Sequence, residues 1–172
     1  YIIIFNEPNH AKEWGGEISP EKYADILNHS IEKFKTANED FKILNAGLDL
    51  AAPNGIETQN AFNFLQKMRQ SYPEIFNQLD GWASHSYPNP GFIGQINDTG
   101  KTSIRGYRWE LFVLKKYFGL EKNLPVFITE TGWPHVESTN TKAQKQKFYK
   151  AEKTAALIKD AFNFWQNDPV IK

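Results

Sequence analysis

Two glutamates stand where apolar runs break off. YIIIFNEPNH ends an oily run at Asn6-Glu7-Pro8-Asn9, and PVFITETGWP repeats the arrangement, with Val126 to Ile128 apolar, then Glu130, then Gly132. A carboxylate at the end of a buried strand surfaces into a loop, where binding and catalytic groups concentrate on a rigid scaffold. Two such carboxylates brought together suit cleavage of a glycosidic bond. One is held protonated and gives its proton to the leaving oxygen; the other stays ionised and attacks the anomeric carbon or activates water. A lone glutamate at a strand end is ordinarily a solvated loop residue or a helix-capping acid. Two on equivalent ends, each among special turn residues, ask for a shared site. A third stretch, ASHSYPNP, puts His85 and Tyr87 at the end of another apolar run. They alternate with Ser86, so both point to one face of a strand.

These groups need elements to hold them. Parallel strands covered on both faces read as continuous apolar runs, and Tyr1–Phe5, Ile43–Leu50, Trp82–Tyr87 and Val126–Thr129 fit, with a fifth run starting at Val170. Their starts are about forty residues apart, the step expected when a loop and a helix follow each strand. Ser19-Pro20 signals a helix start, after which Tyr23, Ile26, Leu27, Ile31, Phe34 and Ala37 recur at helical spacing. A second stripe runs through Ala61, Leu65, Met68 and Tyr72. A third runs through Ile104, Tyr107, Leu111, Leu114 and Phe118, closed by Gly119. A fourth uses Phe148, Ala151, Ala155, Ile158, Phe162 and Trp165. These aromatics read as core.

Repeated β-α alternation predicts a parallel sheet with right-handed crossovers, either a closed (β/α)8 TIM barrel or an open doubly wound sheet. No GxGxxG or GxxxxGK[ST] follows any run, which weakens the nucleotide-binding versions of the open sheet. A barrel needs about eight units in about 250 residues, so this chain would hold about half. Its apolar sheet edges would then demand a partner, a second half or another copy of itself. Tyr1 already lies in an apparent strand, which suggests a piece with something missing upstream. No signal peptide is visible.

Composition narrows the function classes. With 172 residues, 40% of them hydrophobic, the chain can bury a substantial core, so residues 1–172 are expected to form a single domain. Lys and Arg balance Asp and Glu at 20 each, which argues against a nucleic-acid surface. No apolar stretch approaches the roughly 18 residues of a membrane span. The absence of cysteine excludes disulfides and thiolate catalysis. The E-x-x-H of Glu7 to His10 is interrupted by Pro8, and the histidines show no ligand spacing, so no metal and no cofactor is expected. Asn97-Asp98-Thr99 matches a glycosylation sequon that matters only in a eukaryotic secretory context.

NEP at one strand end and ETGW at another resemble the clan of retaining glycoside hydrolases built on (β/α)8 barrels, which includes the cellulase-type and xylosidase-type families. The resemblance implies that the chain spans barrel strands four to seven with the edge of strand eight. It makes Glu7 the acid/base and Glu130 the nucleophile, with Asn6 hydrogen-bonded to the sugar's 2-hydroxyl. His85 and Tyr87 match the His-x-Tyr that many members carry on strand six, where the Tyr hydroxyl orients the nucleophile. An Arg near strand two and a stacking Trp after strand eight, common in the family, would lie outside this chain.

A sugar cleft combines aromatic platforms with polar groups that read hydroxyls. EPNHAKEWGGEIS offers Asn9, His10, Glu13 and Trp14; ETGWPHVESTNT offers Trp133 and His135. Trp133 either packs beneath the second glutamate or forms part of a subsite, and Trp14 is a further platform. Asp49 is a further hydroxyl-binding candidate, and SYPNPGFIGQINDTGKTS is expected to form one rim. The expected activity is double displacement on a β-linked oligo- or polysaccharide. Its rivals are an inverting or substrate-assisted glycosidase and a non-catalytic carbohydrate-binding or structural half-barrel. The substrate class alone favours a secreted or cell-surface setting.

Overall fold

Helix α1 (Pro20–Ala37) starts at the proline that the sequence marks, whose missing N–H costs nothing in a first turn. Helix α2 (Ala61–Ser71) is capped by Asn60, whose side chain accepts the Phe62 N–H. A short α3 (Ile75–Gln78) follows, and α4 (Gly106–Tyr117) and α5 (Ala151–Trp165) complete the described α-helices. Helix α4 ends as predicted: Gly119 takes a φ of 75°, and the Leu120 N–H reaches back to the Leu114 carbonyl at 3.0 Å. The protein is known as a computed structural model that describes residues 1–138 and 147–172.

The strands do not form a four-stranded portion of one barrel, and that expectation is corrected. Among the described residues the chain is a small mixed α/β protein with five α-helices and two separate two-stranded parallel sheets. Strand β1 (Ile2–Ile3) pairs with β2 (Ile43–Leu44), and β3 (Trp82–His85) pairs with β4 (Val126–Glu130). Between the sheets there are only isolated bridges, Leu44 to Gly81 and Asp49 to His85. The expected fifth strand is a single bridge from Ile171 to Val126. Strands four to seven of a barrel, with the edge of an eighth, are therefore not what this chain builds.

Polar side chains explain the interruption. Asn45 offers its amide to Ala83 on both sides, accepting the Ala83 N–H at 2.9 Å and donating to the Ala83 carbonyl at 3.0 Å. Asp80 accepts the Ile43 N–H at 2.8 Å. The Tyr23 hydroxyl donates to the Ile4 carbonyl at 3.2 Å and accepts the Ala46 N–H at 2.6 Å. Each takes a backbone group that a continuous ladder would use, so the groups stay satisfied while the ladder stops. Apolar periodicity carries no trace of this.

Tyr23 and Leu27 of α1, Phe64, Leu65 and Met68 of α2, Trp82 of β3, and Tyr107 and Leu114 of α4 are fully buried and form one core. Helix α5 presents Thr154, Leu157, Ala161 and Trp165 to it; Trp165 belongs to the predicted stripe, whereas the other three each precede one of its members, and Phe162 is left 63% exposed. Phe148 lies before α5. No described helix is long and apolar enough to cross a membrane.

Candidate functional site

Despite the split sheets, the C-terminal ends of the strand segments converge. The chain leaves β1 through a constrained path, with φ of 70° at Phe5 and 37° at Glu7. Left-handed backbone at non-glycine residues costs about 1–3 kcal/mol each and persists only where the surroundings enforce it. Here the Glu7 N–H is tied to the Gly47 carbonyl at 3.1 Å, and the His10 N–H to the Glu7 carbonyl at 2.9 Å. The strain aims the Glu7 side chain toward the end of β3.

Strand β3 places Ser84 and Ser86 on its rear face and His85 on the other, as alternation requires. A register shift between Ser84 and His85 leaves His85 opposite Glu130. Such a bulge re-aims a side chain at the end of a ladder. His85 Nδ1 is 2.9 Å from Glu7 Oε1 and 3.5 Å from Glu130 Oε2. A hydrogen on that nitrogen therefore donates to Glu7 and points into the gap between the acids. The ring is only 3% exposed. Its room comes from Gly47, where a Cβ would lie 2.1 Å from His85 Cδ2.

The Tyr87 hydroxyl donates to Glu130 Oε2 at 3.2 Å. Burial, then the neighbouring Glu130 charge, pushes the phenol up to about 12, so it remains a donor at any ordinary pH. Thr131, next to Glu130, donates its hydroxyl to the Ser86 carbonyl at 2.8 Å and fixes the β4 end against β3. One oxygen of Glu7 and one of Glu130 lie within 4.8 Å of each other.

These groups open into a cleft of about 530 Å³ lined by Glu7, His10, Lys12, Asp49, Tyr87, Phe92, Glu130 and the Thr131–Pro134 turn. Glu7, Tyr87, Glu130 and Trp133 thus meet in one cleft, and His85 stands directly behind its two acids. Trp133 is 4% exposed, and its indole N–H donates to the Gly94 carbonyl at 2.8 Å, so it is a packed wall with one face to the cleft. Asn6 is exposed and lies outside the cleft wall. Trp14 is also outside it; its ring packs against Phe5 at 4.8 Å and Tyr23 at 5.8 Å. Residues 139–141 of the loop after β4 lie outside the described residues.

Phe92 is a cleft-lining aromatic that sequence reasoning missed. It is 44% exposed and meets Tyr87 edge-on at 5.0 Å. Its place in the polar rim loop was the available signal. Lys12 was missed as well.

One ligating atom from each of Glu7, His85 and Glu130 falls within 4.8 Å of the others, so the trio could also hold a cation. Sequence spacing could not show this, because the three come from separate strand ends. His85 Nδ1 would have to give up its bond to Glu7 to serve. The chain matches no family model and no curated protein sequence.

Proposed function

We propose that the protein is a retaining glycoside hydrolase acting on a β-linked oligo- or polysaccharide. The observation that carries this reading is the closeness of the two carboxylates, whose oxygens approach within 4.8 Å. Direct attack by one acid while the other protonates needs carboxyl groups about 5–5.5 Å apart, whereas inversion needs about 6.5–9.5 Å to admit a water. Oxygens this near support the shorter separation, and with it direct attack.

Glu130 is the nucleophile. Tyr87 holds one of its oxygens, which leaves the other for the anomeric carbon. Glu7, held by His85, gives its proton to the leaving oxygen and later takes one from the incoming water. Motifs and site geometry support the assignment; a fold-level analogy does not enter it.

Glu130→Ala should abolish turnover of a nitrophenyl β-glycoside, a loss of about 10⁴-fold or more, and added azide should restore release of the phenol through the vacated space. Activity of the wild type should persist in EDTA. A requirement for a divalent cation, or azide without effect, would remove the reading.

A further inference from the structure

The cleft is not symmetric about its two acids. On the Glu130 side its wall is aromatic and compact, made by Tyr87, Phe92 and the turn carrying Trp133. On the Glu7 side it is polar. His10 Nε2 is 2.9 Å from Asp49 Oδ2, and both side chains are partly exposed, at 18% and 28%. The double-displacement scheme gives these sides different tasks. The sugar to be transferred sits against the nucleophile, and the departing group leaves past the acid.

The polar pair is held in place without a ligand. Asn9, wholly buried, donates to the Asp49 carbonyl and accepts the Asp49 N–H, at 3.0 and 3.2 Å. Asp49 Oδ1 accepts the Ala51 N–H at 2.8 Å. The His10 N–H is bonded to the Glu7 carbonyl, so this pair moves with the acid. Each carboxylate oxygen of Asp49 accepts one bond and keeps acceptor capacity for another. Burial lowers the Lys101 ammonium, with the Asp49 charge opposing. A fixed carboxylate with spare acceptor sites, in a concave wall, is what adjacent hydroxyls on a sugar ring match. An aryl or alkyl group would offer it nothing and would strip its water.

Resting on the glycosidase reading, we propose that His10 and Asp49 form the leaving-group subsite and hydrogen-bond the hydroxyls of the departing sugar. The substrate is then a saccharide on both sides of the scissile bond. The plain rival is a structural clasp, joining the loop after β1 to the segment after β2.

The two differ in what Asp49→Asn does. Xylobiose and cellobiose carry a sugar on the Glu7 side; nitrophenyl β-xyloside and β-glucoside carry the same reacting sugars without it. A subsite predicts that kcat/KM falls about tenfold or more further on the disaccharides than on the nitrophenyl glycosides, mainly through KM. A clasp predicts parallel falls, and parallel falls or no fall on either would overturn the proposal. Should Asp49→Asn not fold, His10→Ala gives the same comparison, since Asn9 and the Ala51 N–H still hold Asp49 in place.

A wild type that turns over none of these substrates removes the glycosidase reading alone. Calorimetric titration with the disaccharides then decides the subsite. Binding weakened about tenfold by Asp49→Asn keeps it as a sugar contact; equal binding, or none to the wild type, removes it.

Discussion

A single missing carbon shapes the centre of the site. Gly47 lets the imidazole of His85 lie flat against the backbone, and its carbonyl also receives the Glu7 N–H. A methyl there would sit 2.1 Å from His85 Cδ2 and 2.4 Å from Nε2, and the buried ring has nowhere to retreat. Gly47→Ala should therefore cost about 1–3 kcal/mol of stability by overpacking. It should also cost about 10²-fold in kcat/KM, because an acid moved by an ångström no longer meets its proton acceptor. A variant with full activity and an unshifted His85 imidazole spectrum would refute this role. At this scale much was legible: Glu7, His85, Tyr87 and Glu130 each close an apolar run, and the chain brings them together. The pairing of His10 with Asp49, 39 residues apart, was not, because nothing in either loop marks the other as its partner. Asn6 and Trp14 share loops with real cleft residues, but side-chain direction in a loop is set by backbone turns that residue type alone does not encode.

Behind the strand that ends at His85 lies a further acid. Glu110 of α4 is wholly buried; its Oε2 accepts the Ser84 hydroxyl, which meets Ser86 Oγ at 2.9 Å, and Ser86 in turn accepts the Tyr107 N–H. Its other oxygen has no partner among the described residues. Burial pushes this carboxyl up to about 7, with the Ser84 hydroxyl opposing. The fold thus favours the protonated form. Relative to the unfolded chain the penalty is absent below about pH 4.5, grows as pH rises and is complete above about 7, at roughly 3 kcal/mol. Glu110→Gln stays neutral, so its stability advantage over the wild type should grow between pH 5 and 8; denaturant titrations at both pH values check it. A difference independent of pH would show that Glu110 does not titrate in this interval. The spacing of Tyr107, Glu110 and Leu114 places this acid on a buried helix face, a signal that was available. The four long helices were legible because caps and stripes are local, whereas the one-turn α3 is too short to carry a stripe. The division into two sheets was not, because Asn45 and Asp80 act across a gap between β2 and β3 that only the folded chain creates, just as Tyr23 ends the β1–β2 ladder. The face of α5 was misread for a related reason: Phe162 and Leu157 are both apolar, and packing alone decides which turns inward.

Over the whole molecule, 20 basic and 20 acidic side chains cancel, with a pI near 7.1. A neutral saccharide gains nothing from long-range attraction in such a field, and the cleft charges act only at contact. If the proposed glycosidase activity holds, KM for a disaccharide should accordingly change less than about twofold between roughly 20 mM and 0.5 M NaCl. A steep dependence would mean that an ionic substrate is the natural one. The Tyr23 hydroxyl has a consequence at this scale too. That oxygen belongs to α1 yet stands between Ile4 and Ala46, a few residues before Glu7 and Gly47. The helix is thereby geared to the mouth of the cleft: a load that tilts α1 is delivered through a stiff phenol to both strand ends at once. Glu7 and Gly47, already hydrogen-bonded to each other, are therefore expected to shift together and not to shear apart.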